Sequence, residues 1–90
     1  MANTIIIFTL KGCGHCTELK KGLTELNIPF NEIEISENET IWNQVIKQTG
    51  HNSLPTVFIG VEGKENGPVF VPERDFKDKD EIIEIIKKYI

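Results

Sequence analysis

The sequence has no long apolar run, no basic surplus and only two cysteines, and each shortage closes off a class of protein. Its longest wholly apolar stretch is Ile5-Ile6-Ile7-Phe8, against the roughly 20 residues a membrane-spanning helix needs. Ten lysines and arginines face 14 acids, a formal net charge of −4. No cationic excess is left to displace the counterions of a nucleic acid or an anionic bilayer. Two cysteines are too few for the disulfide framework of a small secreted domain. Met1-Ala2-Asn3-Thr4 lacks the basic n-region and small-residue cleavage site of a signal peptide, so the expected setting is the cytosol. No linker, low-complexity tract or repeat interrupts the 90 residues, and one domain spanning 1–90 is expected. Hydrophobic residues at 39% and charged residues at 27% describe a globular chain, not a disordered one.

Glycine, proline and asparagine punctuate seven short elements. Thr4 to Thr9 is β-branched, aromatic and uncharged, the pattern of a strand buried on both faces. After the turn Lys11-Gly12-Cys13-Gly14, residues 15–27 carry Leu19, Leu23 and Leu26 on one helical face. Phe30 to Ile35 alternates polar and apolar residues, a second strand. Ser36 and Glu39 have the spacing of a capping box for a helix with the stripe Ile41, Trp42, Val45 and Ile46, closed by Gly50. Core packing accounts for Trp42, and the same cap accounts for the sequon Asn38-Glu39-Thr40. Thr56 to Gly60 is a third strand. A hairpin over Val61 to Gly67, with Asn66-Gly67 at its turn, leads to an edge strand Val69-Phe70-Val71 between Pro68 and Pro72. Asp78 and Glu81 open a last helix that runs through Ile82, Ile83, Ile85, Ile86, Tyr89 and Ile90. The order β-α-β-α-β-β-α predicts an α/β fold: a four-stranded mixed sheet with helices on both faces.

Cys13-Gly14-His15-Cys16 falls where the first strand meets the first helix. A Cys-x-x-Cys pair on a first helical turn can close a disulfide with little backbone movement. Unpaired amide N–H groups at the helix start favour a thiolate on Cys13, and the thiolate is the nucleophile. Cys16, one turn deeper, is the candidate resolving thiol. His15 offers a hydrogen bond, or a charge when protonated, beside the Cys13 sulfur. The competing readings are half of a zinc site, for which His15 and His51 are the only spare ligands, and two inert buried cysteines. Ser53-Leu54-Pro55-Thr56 enters the third strand. A trans Pro55 is ordinary there, whereas a cis bond would turn the Leu54 backbone outward toward an extended peptide.

These two segments resemble the glutaredoxin family of the thioredoxin superfamily. Cys13-Gly14-His15-Cys16 stands at the dithiol motif. Thr49-Gly50-His51-Asn52-Ser53-Leu54-Pro55-Thr56-Val57-Phe58-Ile59-Gly60 is similar to the family's Thr-Gly-x-x-Thr-Val-Pro-x-Val-Phe-Ile-Gly. The resemblance implies a thioredoxin-like (glutaredoxin) fold and a cis Leu54–Pro55 bond facing Cys13. It also implies an enzyme, a dithiol thiol–disulfide oxidoreductase with Cys13, Cys16 and His15 as its catalytic residues. Glutathione is the implied reductant, bound by Lys11, Leu54, Pro55, Arg74 and Asp75. The implied partners are glutathione and disulfide-bearing proteins, ribonucleotide reductase among them; a monomer without a metal is expected.

The chain also departs from the family. Cys-Gly-His-Cys is the motif of protein disulfide isomerases where many glutaredoxins have Cys-Pro-Tyr-Cys. Lys11 is one residue closer to the first cysteine than the usual lysine, and Glu73-Arg74-Asp75-Phe76 is a loose counterpart of the family's Gly-Gly turn and capping Asp. Both Gly14 and His15 favour the reduced form, so a potential above the about −270 mV of thioredoxin is expected. Two alternative functions stay open. One is a thioredoxin-like donor reduced by a dedicated reductase; the other is metal or iron–sulfur cluster binding at the cysteines. Lys11 and Arg74 also read as solvated charges, His51 as a loop residue, and Lys77 to Glu81 as a solvated helix start.

Overall fold

The uncharged run Thr4–Thr9 (β1) is the strand around which the sheet is assembled. A computed structural model describes residues 3–63 and 67–90. Strand β1 pairs in parallel with Asn31–Glu34 (β2), Phe8 opposite Ile33. On its other side it pairs antiparallel with Thr56–Gly60 (β3), Ile7 opposite Val57. The two-residue strand Val69–Phe70 (β4) completes the sheet order β2-β1-β3-β4. A strand whose two faces are both covered has no place for a charge, which explains its composition. Residue Asn66 of the expected hairpin turn lies outside the described residues. Gly67 is required beyond it, because a Cβ there would sit 1.8 Å from the Ile59 carbonyl oxygen.

The pleat divides the side chains. Ile5, Ile7, Val57 and Ile59 face a core shared with Leu19 and Leu23 of helix Gly14–Glu25 (α1) and Ile82, Ile83 and Ile86 of helix Lys79–Lys87 (α3). Phe8 points the other way and meets Trp42 of helix Glu39–Thr49 (α2), ring centroids 5.6 Å apart. Helices therefore cover both faces, as expected.

Four expectations about the helices need correction. The first helix ends at Glu25, so Leu26 is 47% exposed and is not part of the apolar stripe. Asn27, at φ 58, turns the chain there. Its N–H donates to Thr24 O at 3.1 Å and that of Ile28 to Leu23 O at 2.9 Å, a Schellman closure that ends the helix early.

The second helix lacks the Ser36–Glu39 capping box. The Ser36 hydroxyl donates to the Glu34 carboxylate, residues Ile35–Glu37 make one 3₁₀ turn, and Asn38 becomes the N-cap. A nearby acid has outcompeted the helix for the hydroxyl. Ile41 is 43% exposed, because Trp42, Val45 and Ile46 fall at i, i+3 and i+4 on one face and Ile41 sits about 100° away from Trp42.

The third helix stops at Lys87, short of Tyr89 and Ile90. Asn3 Nδ2 donates to the Tyr89 carbonyl at 2.7 Å, and the Tyr89 ring packs on Phe70. Tyr89 is thus held from both sides, since its own N–H also donates to Ile86 O of α3 at 2.9 Å. The Asp78 cap is as expected: its carboxylate accepts from the Glu81 N–H at 3.0 Å.

Candidate active site

A sharp turn carries β1 into α1. Gly12 takes φ 87, a left-handed conformation that glycine adopts freely, and the Cys13 N–H donates to Leu10 O at 3.0 Å. Cys13 is the N-cap of α1. Its carbonyl accepts the first helical bond, from Thr17 at 3.1 Å, and its Sγ accepts from the Cys16 N–H at 3.2 Å. The two cysteines are joined as a disulfide, with Cα atoms 5.3 Å apart. Cys16 is 1% exposed, whereas Cys13 is half-buried and His15 exposed. The arrangement can present one sulfur to solvent and keep the second behind it.

A groove of about 360 Å³ opens beside the pair at His15. Leu54 and Pro55, joined by a cis peptide bond, form one wall. Pro72, Glu73 and Phe76 form another, and Lys77, Asp78 and Lys79 complete the lining. His15, Leu54 and Pro55 thus come together from distant parts of the sequence. Lys11 is exposed in the turn before Cys13 and does not line the groove.

Arg74 and Asp75 do not line it either; they build its wall. The Asp75 carboxylate accepts from the Val71 N–H at 2.8 Å, and the Asp75 N–H returns a bond to Val71 O at 3.0 Å. Arg74 pairs with Asp75 at 2.9 Å and donates to Val69 O at 3.0 Å. Burial opposes ionisation of Asp75. The hydrogen bond from Arg74, the Val71 N–H and the Arg74 and His51 charges outweigh it and hold the carboxyl below the usual range.

Sequence reasoning missed Lys77 and Lys79. Their alternation with Asp78 and Asp80 reads as an ordinary solvated helix start, and nothing local signals that this start faces residues 15 and 54. On the far side of α1, Lys20 pairs with Glu32 at 2.8 Å, and buried Thr9 donates to the same carboxylate oxygen at 2.6 Å. The Lys20 bond first, then that of Thr9, lowers the Glu32 pKa. No group of three metal-ligating side chains occurs among the described residues.

Comparison with known proteins gives a consistent result. The family model described as glutaredoxin matches residues 5–63. The N-acetyl-S-hydroxy-L-cysteine reductase of Bacillus subtilis is 36% identical over 56 residues, 62% of this chain and 60% of that protein. The glutaredoxin of Vernicia fordii is 33% identical over 69 residues, 73% of this chain and 64% of the plant protein. The chain therefore spans less than two thirds of the length of these two curated relatives. Among solved structures, a buckwheat glutaredoxin–glutathione complex aligns with a TM-score of 0.60 at 24% identity, covering 96% of this chain and 70% of that one. That likeness establishes a thioredoxin-like fold. With a match that runs from β1 through β3 and includes both cysteines, the chain belongs to the glutaredoxin family.

Proposed function

We propose that this protein is a dithiol thiol–disulfide oxidoreductase that draws its electrons from glutathione. The Cys13 thiolate attacks one sulfur of a substrate disulfide, forming a mixed disulfide and releasing the other sulfur as a thiolate, which takes up a proton. The Cys16 thiolate then attacks the Cys13 sulfur. The second substrate thiol leaves and the Cys13–Cys16 disulfide remains. Two glutathione molecules restore the dithiol and depart as glutathione disulfide. The observation that carries the reading is the disulfide at the start of α1, with Cys13 accessible and Cys16 buried behind it.

His15 stands at the mouth of the groove as a donor to the leaving sulfur. Leu54 and Pro55 are the wall against which the chain beside the attacked sulfur lies. Lys11 offers a cation to glutathione from outside the groove, and Arg74 and Asp75 act through the wall that they shape. Protein disulfides, those of ribonucleotide reductase among them, are the proposed acceptors, met by a monomer in the cytosol. The sulfur-centred substrate in the name of the Bacillus subtilis relative supports reduction at sulfur. One observation favours a different electron source: neither Lys11 nor Arg74 lines the groove, which suits reduction by a dedicated reductase.

The wild type and two variants test the proposal in an assay of disulfide reduction with each reductant supplied alone. Cys13→Ser is expected to lose all activity. Cys16→Ser is expected to accumulate a mixed disulfide on Cys13, seen as a mass increase equal to one substrate half. Full activity in Cys13→Ser would refute the assignment. Turnover with a reductase but not with glutathione would transfer it to the thioredoxin-like alternative.

A further inference from the structure

Between α2 and β3 the chain reaches the cis Leu54–Pro55 bond with little backbone support. Among the described residues, no backbone–backbone hydrogen bond is made by residues 51–54. Side chains hold them instead. Thr49 Oγ1 accepts from the His51 N–H at 3.1 Å, and the Thr56 hydroxyl donates to Ser53 O at 2.7 Å. Both of these bonds are local, and each ties the loop only to its own end. The third comes from outside the loop. Trp42 Nε1 donates to Asn52 Oδ1 at 3.1 Å, across ten residues of sequence. Asn52 is exposed, and this is the hydrogen bond that orients its side chain. Trp42 is 6% exposed, and its ring packs on Phe8, in the strand that reaches Cys13 five residues on. A close-packed indole cannot turn, so its N–H is a fixed point. One side chain thus touches both the strand that runs into the redox turn and the loop that walls the groove beside it.

On the oxidoreductase reading above, we infer that Trp42 and Asn52 are positioning residues, whose hydrogen bond fixes where the Leu54–Pro55 wall stands relative to Cys13. They act through the loop and take no part in the transfer of electrons. Without the bond, the loop keeps its two local ties and loses the one to the strand that carries the redox turn. A polypeptide that lies along the wall must then order the loop as it binds, and its reaction slows. A disulfide too small to reach the wall does not meet this cost.

The test is a single-turnover reaction of the reduced protein, which needs no electron source. The substrate disulfide becomes two thiols as the protein dithiol becomes the Cys13–Cys16 disulfide. Two substrates are compared, a symmetric disulfide of an uncharged peptide and bis(2-hydroxyethyl) disulfide. Asn52→Ala is expected to react about fivefold more slowly with the peptide, the effect of one lost hydrogen bond, and at the wild-type rate with the small disulfide. Asn52→Asp keeps an acceptor for the indole N–H and is expected to restore the peptide rate. Trp42→Phe is expected to match Asn52→Ala. The double variant is expected to be no slower than either single one, because the same bond is broken in all three. Asn52 is exposed, so Asn52→Ala carries the test even where Trp42→Phe loses stability. A wild-type peptide rate in Asn52→Ala would overturn the inference, as would a peptide rate in Asn52→Asp as low as in Asn52→Ala. Equal slowing on the two substrates, or losses that add in the double variant, would do the same. Failure of the wild type with both disulfides would remove the oxidoreductase reading, and the inference with it.

Discussion

The backbone N–H of Cys16 points at the Sγ of Cys13 from 3.2 Å, while the Cys16 side chain is sealed at 1% exposure. One residue thus aims an N–H donor at its partner's sulfur and stays out of reach itself. After reduction, a neutral alkylating reagent at pH 7 is expected to label Cys13 alone. Cys16 becomes reactive only when denaturant opens the core. Peptide mapping checks the order, and simultaneous labelling of the two cysteines in the native protein would contradict it.

Helices α1 and α3 approach each other at Gly22. A Cβ at that position would stand 2.8 Å from Cδ1 of Ile83, which is 6% exposed. Gly22→Ala gains about 1 kcal/mol of helix propensity. Overpacking costs about 1–3 kcal/mol, so a net loss of about 1 kcal/mol is expected. Ile83→Val removes the obstructing methyl and alone costs about 1 kcal/mol. The double variant is expected to be more stable than the sum of the two losses, because the new methyl fills the space. Strict additivity in urea titrations would exclude this contact as the cause.

Trp42 joins α2 to the sheet and to the loop before β3. Its ring meets Phe8, and its Nε1 donates to Asn52 Oδ1 at 3.1 Å, two residues before Leu54. Trp42→Phe keeps the ring contact, loses the hydrogen bond, and is expected to cost about 1–2 kcal/mol. Trp42→Ala is expected to cost about 3–5 kcal/mol. Equal costs for the two variants, measured by circular dichroism during unfolding, would show that the indole N–H carries the whole effect.

Two carboxylates set the acid limb of stability. Both Glu32 and Asp75 have folded-state pKa values below their ordinary ones. Each contributes stability above its unfolded-state value, and the contribution is lost as the pH falls through the folded-state value. The protein is therefore expected to lose stability steadily on acidification below the ordinary carboxylate range. The side chains of Lys20 and Glu32 are 32% and 37% exposed, so solvent screening reduces this pair to about 0.5 kcal/mol. Glu32→Gln is expected to flatten the profile by that amount. Asp75→Asn is expected to flatten it further and to raise KM for disulfides, since the wall of the groove hangs on Val71 and Arg74. Melting curves from pH 3 to pH 7 check both. An unchanged slope in the double variant would assign the acid limb to other groups.

The sequence by itself determined the element order and the place of the redox pair, because those depend on short-range free energies. Thr4–Thr9 has no charge and belongs in the middle of a sheet. Gly12 supplies a left-handed turn, and Cys13 and Cys16 are one helical turn apart. Where local signals compete, tertiary structure decided. Ser36 serves Glu34 instead of capping α2, and Ile41 faces solvent because Trp42 takes the position over Phe8. Of the groove, only His15, Leu54 and Pro55 were legible, through the family resemblance, and the α3 side was not. His15, Leu54 and Lys77 are separated by more than 20 residues at each step, and they meet because β3 pairs with β1 and the Val71–Asp75 turn brings the head of α3 to the same groove. Charge along the chain gives Lys11, Arg74 and Lys77 equal standing. Only the fold occupies Arg74, leaves Lys11 outside and sets Lys77 in the groove, since which charges share a cavity is fixed by long-range contacts that no local pattern encodes.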